Sequence, residues 1–174
     1  MIQVVVFDWG DTVMRVFPEY EGPMAHWPRV EAVPGVEEAL LALHPRYRQV
    51  LATNAAASGA ALVRAALRRV GVEGHFEAVF TARELGVRKP DPAFFQRLLG
   101  EVGCAPHEAV MVGDDYEVDV VGAKAVGLRA IWYNPTTSSC PLAHPLHDAE
   151  VQMMAELLTA VERLSPDESP GFAF

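Results

Sequence analysis

Two short acidic motifs, each placed directly after an apolar run, hold the residue types best suited to chemistry. The first is Phe7-Asp8-Trp9-Gly10-Asp11-Thr12, and the second is Val112-Gly113-Asp114-Asp115. Clustered carboxylates repel one another, and a hard cation such as Mg²⁺ relieves that repulsion because it takes oxygen ligands. If the fold brings the two motifs together, they predict a metal-assisted phosphate site.

The elements that must position these motifs follow from the apolar pattern. Residues 2–7 form a nearly continuous β-branched run, typical of a strand buried on both faces of a parallel sheet, and residues 109–112 repeat the pattern. Strands are predicted over residues 3–7, 49–53, 78–80, 109–112 and 130–132, and helices over 36–43, 58–70, 93–102, 118–125 and 151–164. This alternation predicts an α/β fold whose parallel strands end at a ligand-binding crevice.

Length and composition bound the class of protein. The 174 residues suit one domain with its own core, so residues 1–174 are predicted to form a single unit. A net charge of −9 argues against a nucleic-acid partner, because phosphate backbones require a basic surface. No apolar run approaches the ~20 residues of a membrane span, and Met1 leads directly into strand sequence without a signal peptide. Cys104 and Cys140 are too few for a disulfide framework, so a cytoplasmic location is predicted.

Four short motifs in chain order resemble those of the haloacid dehalogenase-like hydrolases. They are Asp8 to Thr12 after the first strand, Thr53-Asn54 after the second, Lys89-Pro90-Asp91-Pro92, and Gly113-Asp114-Asp115 followed by Asp119. The likeness covers about residues 2–132, and four motifs in order are far more specific than any one alone. The resemblance implies a Rossmann-like sheet with strand order 3-2-1-4-5 and helices on both faces. Strands one and four would then lie side by side, where Asp8 and Asp114 would meet.

The resemblance also implies a role for each carboxylate of the site. Asp8 would attack phosphorus and form an aspartyl-phosphate, which divides one hard hydrolysis into two easier steps. Mg²⁺ would be held by Asp8, the backbone carbonyl of Gly10 and Asp114, and its charge would let an anionic nucleophile approach an anionic phosphate. Asp115 or Asp119 would lie next to these ligands without binding the metal directly. The resemblance favours Asp119, as the residue that holds the lysine of the third motif in position.

Three further residues are expected to bind the phosphate. Thr53 would donate its hydroxyl to a phosphate oxygen, and Asn54 lies beside it. Lys89 would place one compact positive charge against both the phosphate and the nucleophile. Of the 14 basic residues only Lys89 and Lys124 are lysines, so a chain that otherwise uses arginine has the smaller ammonium in this motif. Lys124, on a predicted helix, is interpreted as solvated surface.

The first motif departs from the family pattern, which is Asp-x-Asp-Gly-Thr with the second Asp as acid and base. Here Gly10 holds that position and the carboxylate is displaced to Asp11. Asp11 either reaches the leaving-group oxygen through a bulge that glycine permits, or it caps the turn and leaves the proton to water. General acid–base groups contribute about 10²–10⁴-fold, so losing one predicts slow turnover rather than none. The alternative is a phosphate-binding or arrested phosphotransfer protein with weak hydrolysis. Dehalogenation is disfavoured, because attack on a carbon–halogen bond gains nothing from the carboxylate cluster.

The segment between the first strand and the first helix is too short for a cap of the usual family kind. Residues 13–33 are predicted to form a short flap instead, in which Phe17, Tyr20 and Trp27 either stack on a substrate or, as we favour, pack on the body. A small phosphorylated substrate is expected, and a second copy of the chain is a plausible lid. Residues 165–174 are predicted to be a mobile tail.

Cys140, His144 and His147 lie close together in a proline-containing loop. Three ligands make an incomplete zinc site, so the default interpretation is a loop without metal.

Overall fold

The computed structural model describes residues 1–165, and a parallel six-stranded sheet forms its centre. The strands lie in the order β3-β2-β1-β4-β5-β6, which confirms the Rossmann-like α/β class and the predicted order of the first five. They are β1 (Val4–Phe7), β2 (Arg48–Thr53), β3 (Ala78–Thr81), β4 (Ala109–Gly113), β5 (Arg129–Tyr133) and β6 (Ala149–Val151). The predicted tail lies outside the described residues except for Ser165.

The sixth strand was not predicted. It has only three residues, pairs parallel to β5 at the edge of the sheet, and follows a long polar loop. The sequence analysis placed residue 151 in the last helix and left residues 149–150 unassigned, because three residues show no clear period. That helix in fact begins at Leu157, after a 3₁₀ turn at Met154–Glu156.

Helices cover both faces of the sheet, as predicted. They are α1 (Val36–Leu43), α2 (Ala60–Arg69), α3 (Ala82–Leu85), α4 (Pro92–Val102), α5 (Gly122–Ala125) and α6 (Leu157–Leu164), with a π-helical turn at Tyr116–Val121 leading into α5. Short 3₁₀ helices lie at Met24–His26, Glu73–His75 and Pro106–Glu108. Within residues 1–165 no helix combines the length and apolarity that crossing a membrane requires.

The core has two halves, one on each face of the sheet. Successive side chains of a strand point to opposite faces, so Val5 and Phe7 of β1 join the half that contains Leu40 of α1. Val6 joins the other half, which contains Phe94 of α4. All of these side chains are fully buried. Strand β1, with neighbours on both edges and helices on both faces, is therefore a rigid support for the residues that follow it.

The flap predicted at residues 13–33 lies against the body. A bridge between Met14 and Ala32 pairs its two ends in antiparallel fashion. Phe17 and Trp27 are each 8% exposed, and their ring centroids lie 6.5 Å apart. From α2, Arg69 NH1 donates to the Trp27 carbonyl at 2.6 Å. The aromatic side chains therefore pack, which is the alternative favoured from the sequence.

Candidate active site

The ends of two adjacent strands bring the predicted carboxylates together. Strands β1 and β4 pair with Phe7 opposite Val112, so Asp8 and Asp114 emerge at the same edge of the sheet. The Asp8 backbone amide donates to the Val112 carbonyl at 2.9 Å. Asp119 joins them, and one carboxylate oxygen from each of the three residues lies within 4.8 Å of the other two. Oxygen ligands at this spacing suit a divalent cation.

A single buried ammonium balances part of that negative charge. Lys89 Nζ donates to Asp8 Oδ1 at 2.8 Å and to Asp119 Oδ1 at 2.6 Å, and the Lys89 side chain is 1% exposed. Burial disfavours the charged form of Lys89, but the two carboxylates outweigh burial and raise its pKa. Burial raises the pKa of Asp119, and the positive charge of Lys89 opposes that shift.

Asn54 and Thr53 use their side chains within the site. Asn54 Nδ2 donates to the Lys89 carbonyl at 2.8 Å, and Asn54 Oδ1 accepts from the Lys89 backbone amide at 2.8 Å. Asn54 therefore positions Lys89, and its role in phosphate binding stays a prediction. Thr53 Oγ1 accepts from the Ala55 amide at 3.1 Å, which leaves the hydroxyl proton free for a phosphate oxygen.

Two residues hold Asp114 that the sequence analysis did not assign to the site. Thr12 Oγ1 lies 3.1 Å from Asp114 Oδ1 and 3.3 Å from Asp8 Oδ2, and it accepts from the Asp114 amide at 3.2 Å. Trp132 Nε1 donates to the Asp114 carbonyl at 3.0 Å. Burial, followed by the charge of Asp8, raises the pKa of Asp114 to about 6. Thr12 was visible in the first motif, whereas no local pattern marked Trp132.

A pocket of about 330 Å³ opens over this cluster. Its lining unites residues from all four motifs, separated in sequence by as much as 111 positions: Asp8, Gly10, Thr53, Asn54, Lys89, Asp114, Asp115 and Asp119. The exposed residue Arg88 also lines it. The arrangement combines clustered carboxylates, a fixed positive charge and a hydroxyl donor around one cavity.

A family model for haloacid dehalogenase-like hydrolases matches residues 10–127. The chain belongs to this family. The match spans more than half of the sequence and includes the second, third and fourth motifs.

Two curated relatives of this hydrolase are phosphatases by name. A phosphoserine phosphatase from Thermus thermophilus is 45% identical over 71 residues, which are 41% of this chain and 28% of that protein. A ribulose-1,5-bisphosphate 5-phosphatase from Halopiger xanaduensis is 33% identical over 115 residues, which are 66% of this chain and 47% of that protein. The matched segments thus span less than half the length of these relatives.

One solved structure resembles the hydrolase over almost its whole length. An uncharacterized protein from Listeria monocytogenes serotype 4b has a TM-score of 0.82 and 25% identity. The similarity covers 94% of this chain and 99% of that chain.

The displaced carboxylate of the hydrolase's first motif lies at the edge of the site. Asp11 is exposed, has a φ of 55°, and accepts a hydrogen bond from the Val16 amide on Oδ1 at 2.9 Å. This is the turn-capping geometry foreseen as one of two alternatives. Asp11 lines a neighbouring cavity that also contacts Asp114. Its role as acid and base therefore stays a prediction.

Asp115 and Asp119, the two candidates for the carboxylate next to the metal ligands, differ in burial and in hydrogen bonding. Asp115 is exposed, and its Oδ1 accepts from the Val118 amide at 3.0 Å, which caps the following π-helical turn. Asp119 is buried in the cluster and accepts from the Asp115 amide on Oδ2 at 3.2 Å. The structure brings Asp119 to Lys89 and leaves Asp115 as a cap on the pocket rim.

The loop residues considered for zinc lie elsewhere. His147 Nδ1 is 3.1 Å from the Tyr116 hydroxyl, and its ring also lies against Trp132. Among residues 1–165 the metal-capable cluster of three side chains is the one formed by the carboxylates, and it includes neither Cys140 nor His144.

Proposed function

We propose that the chain is a Mg²⁺-dependent phosphatase that hydrolyses small phosphate monoesters through an aspartyl-phosphate on Asp8. The observation that carries the proposal is the environment of this carboxylate. Asp8 Oδ1 accepts from Lys89 Nζ at 2.8 Å, and Oδ2 lies 3.3 Å from the Thr12 hydroxyl. A carboxylate held in one orientation at the base of a pocket is prepared for attack on phosphorus.

The donors present fit magnesium. Three carboxylates share a single ammonium, so the cluster keeps an excess of negative charge. Asp8, Asp114 and the carbonyl of Gly10 would hold the ion, since Asp119 is already engaged by Lys89. When bound, Mg²⁺ supplies the positive charge that lets an anionic carboxylate approach an anionic phosphate.

The residues of the chain divide the reaction into two displacements. An Asp8 oxygen attacks phosphorus, the bond from phosphorus to the leaving-group oxygen breaks, and that oxygen takes up a proton. Water then attacks the phosphorus, which releases inorganic phosphate and restores the Asp8 carboxylate. Lys89 and the Thr53 hydroxyl bind the phosphate oxygens in both steps, where positioning and charge matter most. The proton comes from water or from Asp11.

A small-molecule substrate fits the charge of the chain and the names of its relatives. The net charge of −9 disfavours large polyanions. The phosphoserine and ribulose-bisphosphate phosphatases named above are similar proteins. A cytoplasmic location and a second copy of the chain as a lid stay predictions.

The test is hydrolysis of 4-nitrophenyl phosphate, measured with Mg²⁺ and with EDTA. Turnover is expected only with Mg²⁺, and it should be abolished in Asp8→Asn. The matched control is Asp91→Asn, because Asp91 is an exposed helix cap outside the pocket and Asn is an equally good cap. Equal activity in Asp8→Asn and wild type would refute the proposal.

A second candidate is a phosphate-binding or arrested phosphotransfer protein. It is favoured by the Asp11 carboxylate, which caps a turn while Gly10 offers no side chain to the leaving group. A phosphorylated Asp8 that accumulates from acetyl phosphate without release of inorganic phosphate would select this candidate. Haloacid dehalogenation is disfavoured by the three clustered carboxylates, and no chloride release from 2-chloropropionate is expected.

A further inference from the structure

A second cavity, of about 470 Å³, opens beside the phosphate pocket, and Asp114 lines both. Its lining includes Tyr133 and residues of the loop that follows it, together with Arg15 and Val33 of the flap. A cavity of this size suits a small organic molecule. Its shared wall with the phosphate pocket makes it the natural place for the rest of a phosphorylated substrate.

The loop wall of this cavity is already satisfied by its own hydrogen bonds. Asn134 Nδ2 donates to the Ser138 carbonyl at 2.9 Å and to Glu150 at 2.8 Å, and Asn134 Oδ1 accepts from the Ser138 amide at 3.0 Å. The hydroxyls of Thr136 and Ser138 lie 2.8 Å apart and bond to each other. The loop therefore forms a preorganised wall. A charged group of a ligand would have to be bound by other residues of the cavity.

Arg15 is the single positively charged residue among those described as lining the cavity. Its NH1 donates to Glu31 Oε2 at 2.8 Å, while the other oxygen of Glu31 is bound by Arg29. Two guanidinium groups thus share one carboxylate and leave one net positive charge. Within residues 1–165 Glu31 is the only side-chain partner of the Arg15 guanidinium by hydrogen bond, so its remaining N–H groups are free for a ligand.

We propose that this cavity binds the leaving group of the substrate and that Arg15 recognises a carboxylate on it. The inference rests on the proposed phosphatase function and adds a substrate class to it: phosphate monoesters of small hydroxy acids. A second phosphate is a poorer match, because the dianion would face the carboxylates of Asp11 and Asp114 across the same cavity. One guanidinium fork matches one carboxylate in charge and in geometry.

The test compares two substrates that differ only at the recognised group. In 3-phosphoglycerate a carboxylate stands where glycerol 3-phosphate has a hydroxymethyl group. Wild-type enzyme should prefer 3-phosphoglycerate in kcat/KM, and Arg15→Gln should lower that preference by about 10- to 100-fold, mainly through KM, as expected for loss of a hydrogen bond to a charged group. Arg15→Lys should retain part of the preference, because it keeps the charge but not the fork.

Arg29→Gln is the matched control. Arg29 also binds Glu31 and also stacks on Phe17, at 5.0 Å from the ring centroid against 5.5 Å for Arg15, but it does not line the cavity. Its substrate preference should fall less than that of Arg15→Gln, because Arg29 affects the charge at Glu31 but offers no hydrogen-bond donor to the cavity. Melting temperatures of the three variants would separate loss of recognition from loss of the folded flap.

The outcomes separate the two proposals. If 4-nitrophenyl phosphate is hydrolysed but Arg15→Gln keeps the wild-type preference, or loses it no more than Arg29→Gln does, the role of Arg15 is overturned and the phosphatase function stands. A wild type with no preference for the carboxylate overturns it equally. If none of the three phosphates is hydrolysed by wild type, both proposals fail together.

Discussion

The missing side chain of Gly113 makes room for the carboxylate of Asp119. A Cβ atom at Gly113 would lie 2.2 Å from Asp119 Oδ2, a distance that no real structure tolerates. Asp119 is fully buried in the turn that follows and pairs with Lys89 there. A glycine is therefore needed at position 113 because it has no Cβ atom. Its backbone has an ordinary strand conformation, so no unusual φ angle requires a glycine there.

Gly113→Ala should displace Asp119 and weaken its ion pair with Lys89. We expect a loss of about 2–4 kcal/mol in the free energy of unfolding, because the change combines overpacking with a disturbed buried charge. Gly100→Ala is the control, since nothing lies within 4 Å of a Cβ at Gly100 in helix α4, and it should stabilise the chain by about 0.5–1 kcal/mol. Urea unfolding measures both, and equal stability of Gly113→Ala and wild type would contradict the steric argument.

Lys89→Met should be far more damaging than the same change at the other lysine. It leaves the buried carboxylate of Asp119 without its cation, at an expected cost of about 3–5 kcal/mol in EDTA, and it should abolish turnover. Lys124→Met removes a partner of Asp148 that Arg129 also binds, so its cost should be about 1 kcal/mol or less. If both variants lost a similar amount of unfolding free energy, the charge of Lys89 would not be needed to balance the buried carboxylate of Asp119.

Thr12→Val should weaken metal binding, because it removes the hydroxyl between Asp8 and Asp114 while keeping the shape of the side chain. It also leaves the Asp114 amide without its acceptor, which should destabilise the fold by about 1–3 kcal/mol. Thr12→Ser keeps the hydroxyl and should bind Mg²⁺ within a few-fold of wild type. Isothermal titration with Mg²⁺ distinguishes these outcomes, and equal affinities in all three proteins would exclude a role for the hydroxyl.

The free energy of unfolding should fall at acid pH, in part because Asp148 becomes protonated there. Burial pushes the pKa of Asp148 upward, but hydrogen bonds from Lys124, the Ala130 amide and Arg129 lower it below its ordinary value. A carboxyl with a lowered folded pKa stabilises the fold above its unfolded pKa of about 3.9, and this contribution is lost as the pH falls through the folded pKa.

Asp148→Asn should therefore be less stable than wild type near neutral pH, and the difference should shrink as the pH falls below about 4. Glu101→Gln is the control, because the exposed Glu101 side chain has no hydrogen bond or ion pair among the described residues, so its difference from wild type should stay small throughout. Urea unfolding at a series of pH values gives the result. A constant difference for Asp148→Asn would show that its carboxylate acts by packing rather than by charge.

Local patterns in the sequence determined the class of fold, and the motif resemblance nominated the residues of the candidate site. Apolar runs such as residues 109–112 predicted buried parallel strands, because only a strand covered on both faces tolerates uninterrupted apolar sequence. The strand order implied by the family resemblance then placed Asp8 beside Asp114, as the structure confirms. The apolar pattern did not predict short or polar elements. Strand β6 was missed because its three residues are too few to show a strand period.

Only the tertiary structure decided which neighbouring side chain does what. The motif resemblance favoured Asp119 over Asp115, and the structure shows the physical difference, because the π-helical turn buries Asp119 and leaves Asp115 exposed. The hydroxyl of Thr12 meets a carboxylate 102 residues away, and Asn54 binds a backbone 35 residues away. Such contacts depend on how separate elements pack. Residue type and spacing could therefore nominate candidate catalytic groups, whereas the side-chain orientations within the site required the assembled fold.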